Sequence, residues 1–222
     1  GKKLIFKLFR RLEPGENRDV EIGRFLTEVA RFPRIPPFLG DISVCPEGGQ
    51  RTTIGMLQGL VMNQGDGWQW FLDHLPGFFG AISGSSAAPG TATAGFINRQ
   101  QPHPAAIEHA GATIEAAALL GRRTAEMHLA LATPTDDSAF AAEPFLPEDL
   151  ARDARRIDTQ IMAALDVLKA KLPSLTDVVA DDAALLLSRR RELLRRAHAI
   201  EGLQAAGKRI RIHGDYHLGQ TL

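Results

Sequence analysis

Hydrophobic and polar positions follow one period early in the chain and another later. Leu4-Ile5-Phe6-Lys7-Leu8-Phe9 is an almost unbroken apolar run with one charge inside it, which predicts a short strand buried on both faces. Asn17 or Asp19 is placed to cap a helix reaching about Phe32, with Val20, Ile22, Phe25, Leu26 and Val29 as its packing side. Pro33, Pro36 and Pro37 should end that helix. Phe38 to Val44 and Thr52 to Met62 are rich in strand formers on either side of Gly48-Gly49, so they predict a hairpin. After the turn Asn63-Gln64-Gly65-Asp66-Gly67-Trp68 the helical period takes over. A short helix is expected around Trp70 to Leu75. Long helices follow over 105–132, over Pro147 to Lys171, and over Thr176 to Ala206, the last stopping at Gly207 as a C-terminal cap. The stretch from Gly80 to Pro104 is dense in Gly, Ser, Ala and Pro and reads as a flexible linker. The fold class is therefore α+β: a small sheet-and-helix lobe over residues 1–62, then a helical lobe over 63–222.

Composition narrows the classes. The 222 residues carry 26 Lys plus Arg against 26 Asp plus Glu, and zero net charge argues against a nucleic-acid binder held by bulk electrostatics. A single cysteine, Cys45, excludes an internal disulfide and a thiolate zinc cluster and suits a reducing, cytoplasmic setting. No apolar run approaches the roughly 20 residues needed to span a bilayer, so no membrane partner is expected. The Arg189-Arg190-Arg191 and Arg195-Arg196 run has Glu192 and Glu201 beside it and reads as a solvated helix face or a contact with a neighbouring domain.

Candidate chemistry concentrates at two places. In His213-Gly214-Asp215-Tyr216-His217-Leu218-Gly219-Gln220, an aspartate in a loop after a strand-like Arg209-Ile210-Arg211-Ile212 precedes an amide by five positions. Kinases use this spacing: the carboxylate reaches the attacking hydroxyl, and the amide oxygen turns to a magnesium ion on the ATP phosphates. A surface turn with a capping Asp is the plainer alternative. A zinc site on His213 and His217 lacks a third nearby ligand. Lys7 is the second place. On a strand alternating Ile5, Lys7 and Phe9 it is costly to bury unless it meets an anion, although an edge-strand lysine can also reach water. Glu21 and Glu28, seven positions apart on one helix face, are candidates to hold it. The order Lys7, Glu21, Asp215, Gln220 repeats that of kinases.

Phe6-Lys7-Leu8-Phe9-Arg10-Arg11-Leu12-Glu13-Pro14-Gly15, Asp19-Val20-Glu21-Ile22-Gly23-Arg24-Phe25-Leu26 and Asn63-Gln64-Gly65-Asp66-Gly67-Trp68 resemble bacterial maltokinase. So do Gly121-Arg122-Arg123-Thr124-Ala125-Glu126-Met127-His128-Leu129-Ala130-Leu131 and the His213–Gln220 loop, all in family order. That family lies within the aminoglycoside-phosphotransferase-like kinases and is often fused to trehalose synthase. The resemblance implies a two-lobed protein-kinase-like fold, ATP and Mg2+ as cofactors, maltose as substrate and a fused or associated trehalose synthase domain as partner. It places Lys7 on the phosphates with Glu21 as its ion-pair partner. It makes Met56 to Val61 the hinge, with backbone groups of Gln58 and Leu60 on adenine. Asp215 becomes the catalytic base and Gln220 the magnesium ligand. Trp68 and Trp70 beside the turn are candidates to stack on a sugar ring, hydrophobic anchoring being their plainer role. Both ends read as cut: the family's phosphate-covering loop is expected before Lys7 and its magnesium-binding aspartate after Leu222. The 222 residues alone are thus expected to bind ATP–magnesium weakly and not to turn over maltose. Other expectations remain open: a related kinase for an aminoglycoside, choline or another sugar, or a non-catalytic module of a trehalose synthase.

Overall fold

A computed structural model describes residues 3–83 and 104–222, with side chains from 107 onward in the second stretch. It is an α+β chain with two compact units, Gly1–Ala141 with Arg211–Leu222, and Ala142–Ile210. The boundary expected near residue 62 lies inside the first unit.

The first unit opens with β1 (Leu4–Leu8), helix α1 (Arg18–Arg24), β2 (Phe38–Val44) and β3 (Thr52–Gly59). The strands form an antiparallel sheet in the order β1-β3-β2, so the expected hairpin is present and β1 is an edge. Register assigns the faces. Ile5 and Phe38 lie opposite Gln58, and Lys7 and Asp41 lie opposite Met56. Phe38 and Met56 on that face are buried with Val20 of α1, and Phe9 packs against them. Phe6, Leu57 and Gly40 share the other face with Leu8, Gly55 and Ile42. There Leu4, Phe6, Leu8 and Ile42 are each about half exposed or more. The expectation that β1 is buried on both faces is therefore wrong. A three-stranded sheet with one helix layer covers only one side, and period-2 alternation puts every second residue of β1 on the other.

Helix α1 begins where expected, with the Asn17 side chain accepting from the Asp19 amide. From Phe25 to Val29 it widens into a π-helical turn and then ends, with Arg31 at φ 50°. Ile22, Phe25 and Leu26 keep the i, i+3, i+4 spacing of one helix face and share the core with Met127, Leu131 and Phe140, whereas Val29, expected on that face, lies in the widened turn and is exposed. Phe25 and Phe140 stack with centroids 3.8 Å apart. Across the sheet, the Arg24 guanidinium binds Asp41 at 2.9 Å and Glu16 at 2.5 Å, while Arg51 and Ser43 also hold Asp41. Burial pushes the Asp41 carboxyl upward, but the Ser43 hydroxyl and the Arg51 and Arg24 charges outweigh it and leave its pKa lowered.

Helix α2 (Gly67–Ile82) is longer than the Trp70–Leu75 helix expected, and α3 (Pro104–Leu131) follows. The expected linker falls mostly on 84–103, outside the described residues; Gly80 to Ile82 belong to α2 and Pro104 opens α3.

The second unit contains α4 (Pro147–Lys171), α5 (Asp177–Ser188) and α6 (Arg190–His198), with a two-residue pairing of β4 (Glu143–Pro144) and β5 (Lys208–Arg209). The single helix expected over Thr176 to Ala206 is broken. Ser188 Oγ donates to the Leu185 carbonyl at 2.6 Å, Arg189 leaves helical geometry at ψ 8°, and a 3-10 turn over Ala199–Gly202 ends the run before Gly207. Such a serine back-bond competes with the helix ladder, and the break lets α6 pack on α4. Asp149 seals the start of α4. It accepts the Leu146 amide at 2.9 Å and pairs with Arg152 and with Arg209 at 3.1 Å, and its pKa is lowered, chiefly by that amide.

His198 joins the elements of this unit. Its Nδ1 meets Glu201 Oε1 at 2.6 Å and its Nε2 meets Asp158 Oδ2 at 2.5 Å. Both carboxylates favour the imidazolium, Glu201 first and then Asp158, so the pKa is raised above the ordinary value near 6.5. A raised folded-state pKa means that the stabilisation is complete below about 6.5 and is lost as pH rises through the folded value. Urea unfolding of the full chain, followed by helical circular dichroism between about pH 6 and pH 8.5, should show a falling midpoint, and His198→Gln should flatten that part of the profile. An identical pH profile in the variant would show that the clamp does not contribute.

Candidate active-site loop

The segment Arg211–Leu222 returns to the first unit and lies against the helix that carries Glu21. Arg211, 190 residues from Glu21 in sequence, forms a direct ion pair with it and also sits 5.9 Å over the Phe140 ring. Two residues on, the His213 and Tyr216 rings meet edge to face at 6.1 Å, and Tyr216 packs against the Ile22–Phe25–Leu26 core. His213 Nδ1 is buried without a hydrogen-bond partner among the described residues. Gly214, at φ 83°, makes the left-handed turn that follows. The partly buried Tyr216 ring, packed against the core, thus holds the loop while Asp215, its neighbour, stands exposed to solvent.

The far end of the loop is a 3-10 turn over Leu218–Gln220. His217 Nδ1 accepts the Gly219 amide at 3.2 Å, and the Gln220 amide donates to the His217 carbonyl at 2.9 Å. Gln220 is also exposed. Among the described residues, no group of three or more His, Cys, Asp and Glu converges on one point. Gln220, the residue expected to hold magnesium, offers a hard amide oxygen at the exposed end of the loop.

The Lys7–Glu21 pair expected from sequence is not formed. Lys7 Nζ lies 3.8 Å from Asp19 Oδ2, both side chains being about half exposed, and Glu21 is taken by Arg211. The sequence signal for Arg211 was its alternation with Arg209, which showed a shared side of an extended segment but not its partner. Glu28 points to solvent: the π-helical turn between it and Glu21 shifts the helix phase, so the seven-residue spacing no longer keeps them on one face.

The hinge expectation is corrected as well. Gln58 lies inside the central strand, registered opposite Ile5 on one side and Phe38 on the other, and its side chain is buried. The Leu60 amide donates to the Lys3 carbonyl at 3.0 Å, and Gly59 donates to Pro37 at 2.9 Å. A strand flanked on both sides spends its backbone groups on the ladder, so a base can be met only by the Leu60 carbonyl or by residues after it. Trp70 stacks on His74 at 3.9 Å and Trp68 is more than half exposed, both on the first turns of α2.

The sequence matches no protein-family model.

The Glu21–Arg211 pair is open to direct measurement. Its side chains are roughly one-quarter exposed, between the exposed and buried regimes, so a double-mutant cycle on unfolding with Glu21→Gln and Arg211→Gln should return a coupling of about 1 kcal/mol. A coupling indistinguishable from zero would show that the pair does not tie the loop to α1.

Proposed function

We propose that this chain is part of an ATP-dependent small-molecule kinase, a maltokinase forming maltose 1-phosphate from maltose, with a two-lobed protein-kinase-like fold. The observation that carries the reading is the ion pair that ties α1, with Glu21 on it, to the segment leading into His213–Gln220. It brings two motifs from opposite ends of the sequence into one unit, and their order along the chain is that of kinases.

In this reading Asp215 is the catalytic base. Its exposed carboxylate accepts the proton of the anomeric hydroxyl as that oxygen bonds to the γ-phosphorus and the bond to the ADP oxygen breaks. Lys7, on the helix-facing side of the sheet edge and countered only loosely by Asp19, supplies positive charge to the nucleotide phosphates. Magnesium, when bound, would neutralise phosphate charge, with Gln220 as the oxygen donor on this loop. Tyr216 and Arg211 position the loop: one is packed in the core and the other is paired across it. Little covalent chemistry falls to the protein, and placement supplies most of the catalysis. A trehalose synthase domain, fused or associated, is the proposed partner, and the cytoplasm the proposed location.

Maltose-dependent ADP release by the full-length protein tests the assignment. Asp215→Asn should lower turnover by about 10²- to 10⁴-fold with nucleotide affinity nearly intact, because the carboxylate acts on the acceptor and not on the base. Lys7→Ala should instead weaken ATP binding by roughly tenfold or more, the loss of one charge-assisted contact. Near-normal turnover in Asp215→Asn, or phosphorylation of an aminoglycoside in preference to maltose, would overturn it.

A further inference from the structure

The motif Asn63-Gln64-Gly65-Asp66-Gly67-Trp68 has no role in the chemistry above, yet its geometry is built toward the catalytic loop. Asn63 folds the chain after β3: its side-chain amide donates to the Val61 carbonyl at 3.1 Å and its oxygen accepts the Gly65 amide at 3.1 Å. Gly65 has φ 141°, where a side chain is strained. Asp66 caps α2 by accepting the Gln69 amide at 2.9 Å. Gly67, the first residue of α2, then donates its amide to the Thr221 carbonyl at 2.8 Å. α2 in turn packs along α3, which anchors it.

Gly67 is required by space. A Cβ there would overlap Thr221 Oγ1 and come within 3.1 Å of the Leu218 carbonyl oxygen. Neither atom is a free end. Thr221 Oγ1 donates to that same carbonyl at 2.8 Å, and the Leu218 carbonyl also receives the Thr221 amide at 3.1 Å. Leu218 and Thr221 bracket the 3-10 turn that carries Gln220. Tyr216 fixes one end of the loop through the core, and Gly67 meets the other end backbone to backbone.

We infer that Gly67 is a positioning residue: with Thr221 it locks the Leu218–Gln220 turn against the first turn of α2 and so sets the distance of Gln220 from Asp215. The inference rests on the kinase reading for its consequence and on the Gly67–Thr221 contact for its mechanism. A methyl group at position 67 displaces the turn, and displacement by about 1 Å costs on the order of 100-fold in rate when it separates groups that act together.

Two readouts on the full-length protein separate the contact from the activity. Gly67→Ala should lower maltose-dependent turnover by about 10- to 100-fold and raise the magnesium concentration for half-maximal rate, with the KM for maltose little changed. Gly67→Ala/Thr221→Ala removes the overlapping atom and should recover at least half of the loss on a logarithmic scale. Hydrogen exchange, read without substrate or metal, should show faster exchange over 216–222 in Gly67→Ala and recovery in the double variant, with strands β1 and β3 unchanged. Unchanged exchange and rate in Gly67→Ala would overturn the inference. So would a loss that the second substitution does not recover and that comes with a general fall in thermal midpoint. A wild-type protein that exchanges as expected but never turns over maltose would refute the kinase reading and leave the lock standing.

Discussion

The first unit is organised around Phe140, which is almost completely buried and stacks flat on Phe25. Apolar groups from four places close on that pair: Ile22 and Leu26 from α1 and its π-helical end, Met127 and Leu131 from the last turns of α3, and Tyr216 from the loop. Ring stacking and the burial of several large side chains supply the drive, since each such side chain is worth about 1.5–3 kcal/mol on transfer from water. The consequence is positional. With Tyr216 in the core, its neighbour Asp215 is turned outward, and with Phe140 under Arg211 the guanidinium is held where it meets Glu21.

The π-helical turn is part of the same constraint. An α-helical continuation through Phe25–Val29 would keep Val29 on the face of Ile22, Phe25 and Leu26 and Glu28 on the face of Glu21, whereas both Val29 and Glu28 are exposed. The widened turn costs hydrogen-bond quality and leaves a single glutamate, Glu21, facing the loop. The charge that faces the loop is neutralised by Arg211.

Polar ties in both units do similar work over short distances. Asp41 gathers Arg24, Arg51 and Ser43 between α1 and the sheet, and Asp149 gathers the Leu146 amide, Arg152 and Arg209 at the start of α4. Each is a largely buried carboxylate whose oxygens are met by donors, the condition under which a charge can leave water. His198, between Asp158 and Glu201, is the counterpart with reversed sign and is more exposed.

Much of this was legible in the chain. The hairpin of β2 and β3, the Asn17 cap, the spans of α3 and α4 and the location of Asp215 and Gln220 on one loop follow from residue period, capping chemistry and a five-residue spacing. All of these depend on contacts within a few residues. Other features depended on docking. Lys7 pairs with Asp19 and Glu21 with Arg211, because α1 is rotated by its core contacts and the Arg211 segment arrives from 190 residues away. Gln58 spends its backbone groups, and Leu60 its amide, on the sheet because β3 turned out to be the central strand, an order that hydropathy does not encode. The break at Arg189 is likewise a compromise with the surface of α4. The sequence by itself determined which segments become helix or strand and which residues could do chemistry, since those are local energies. The tertiary structure alone decided which charge meets which, because a pairing energy exists only once packing has brought both side chains to the same place.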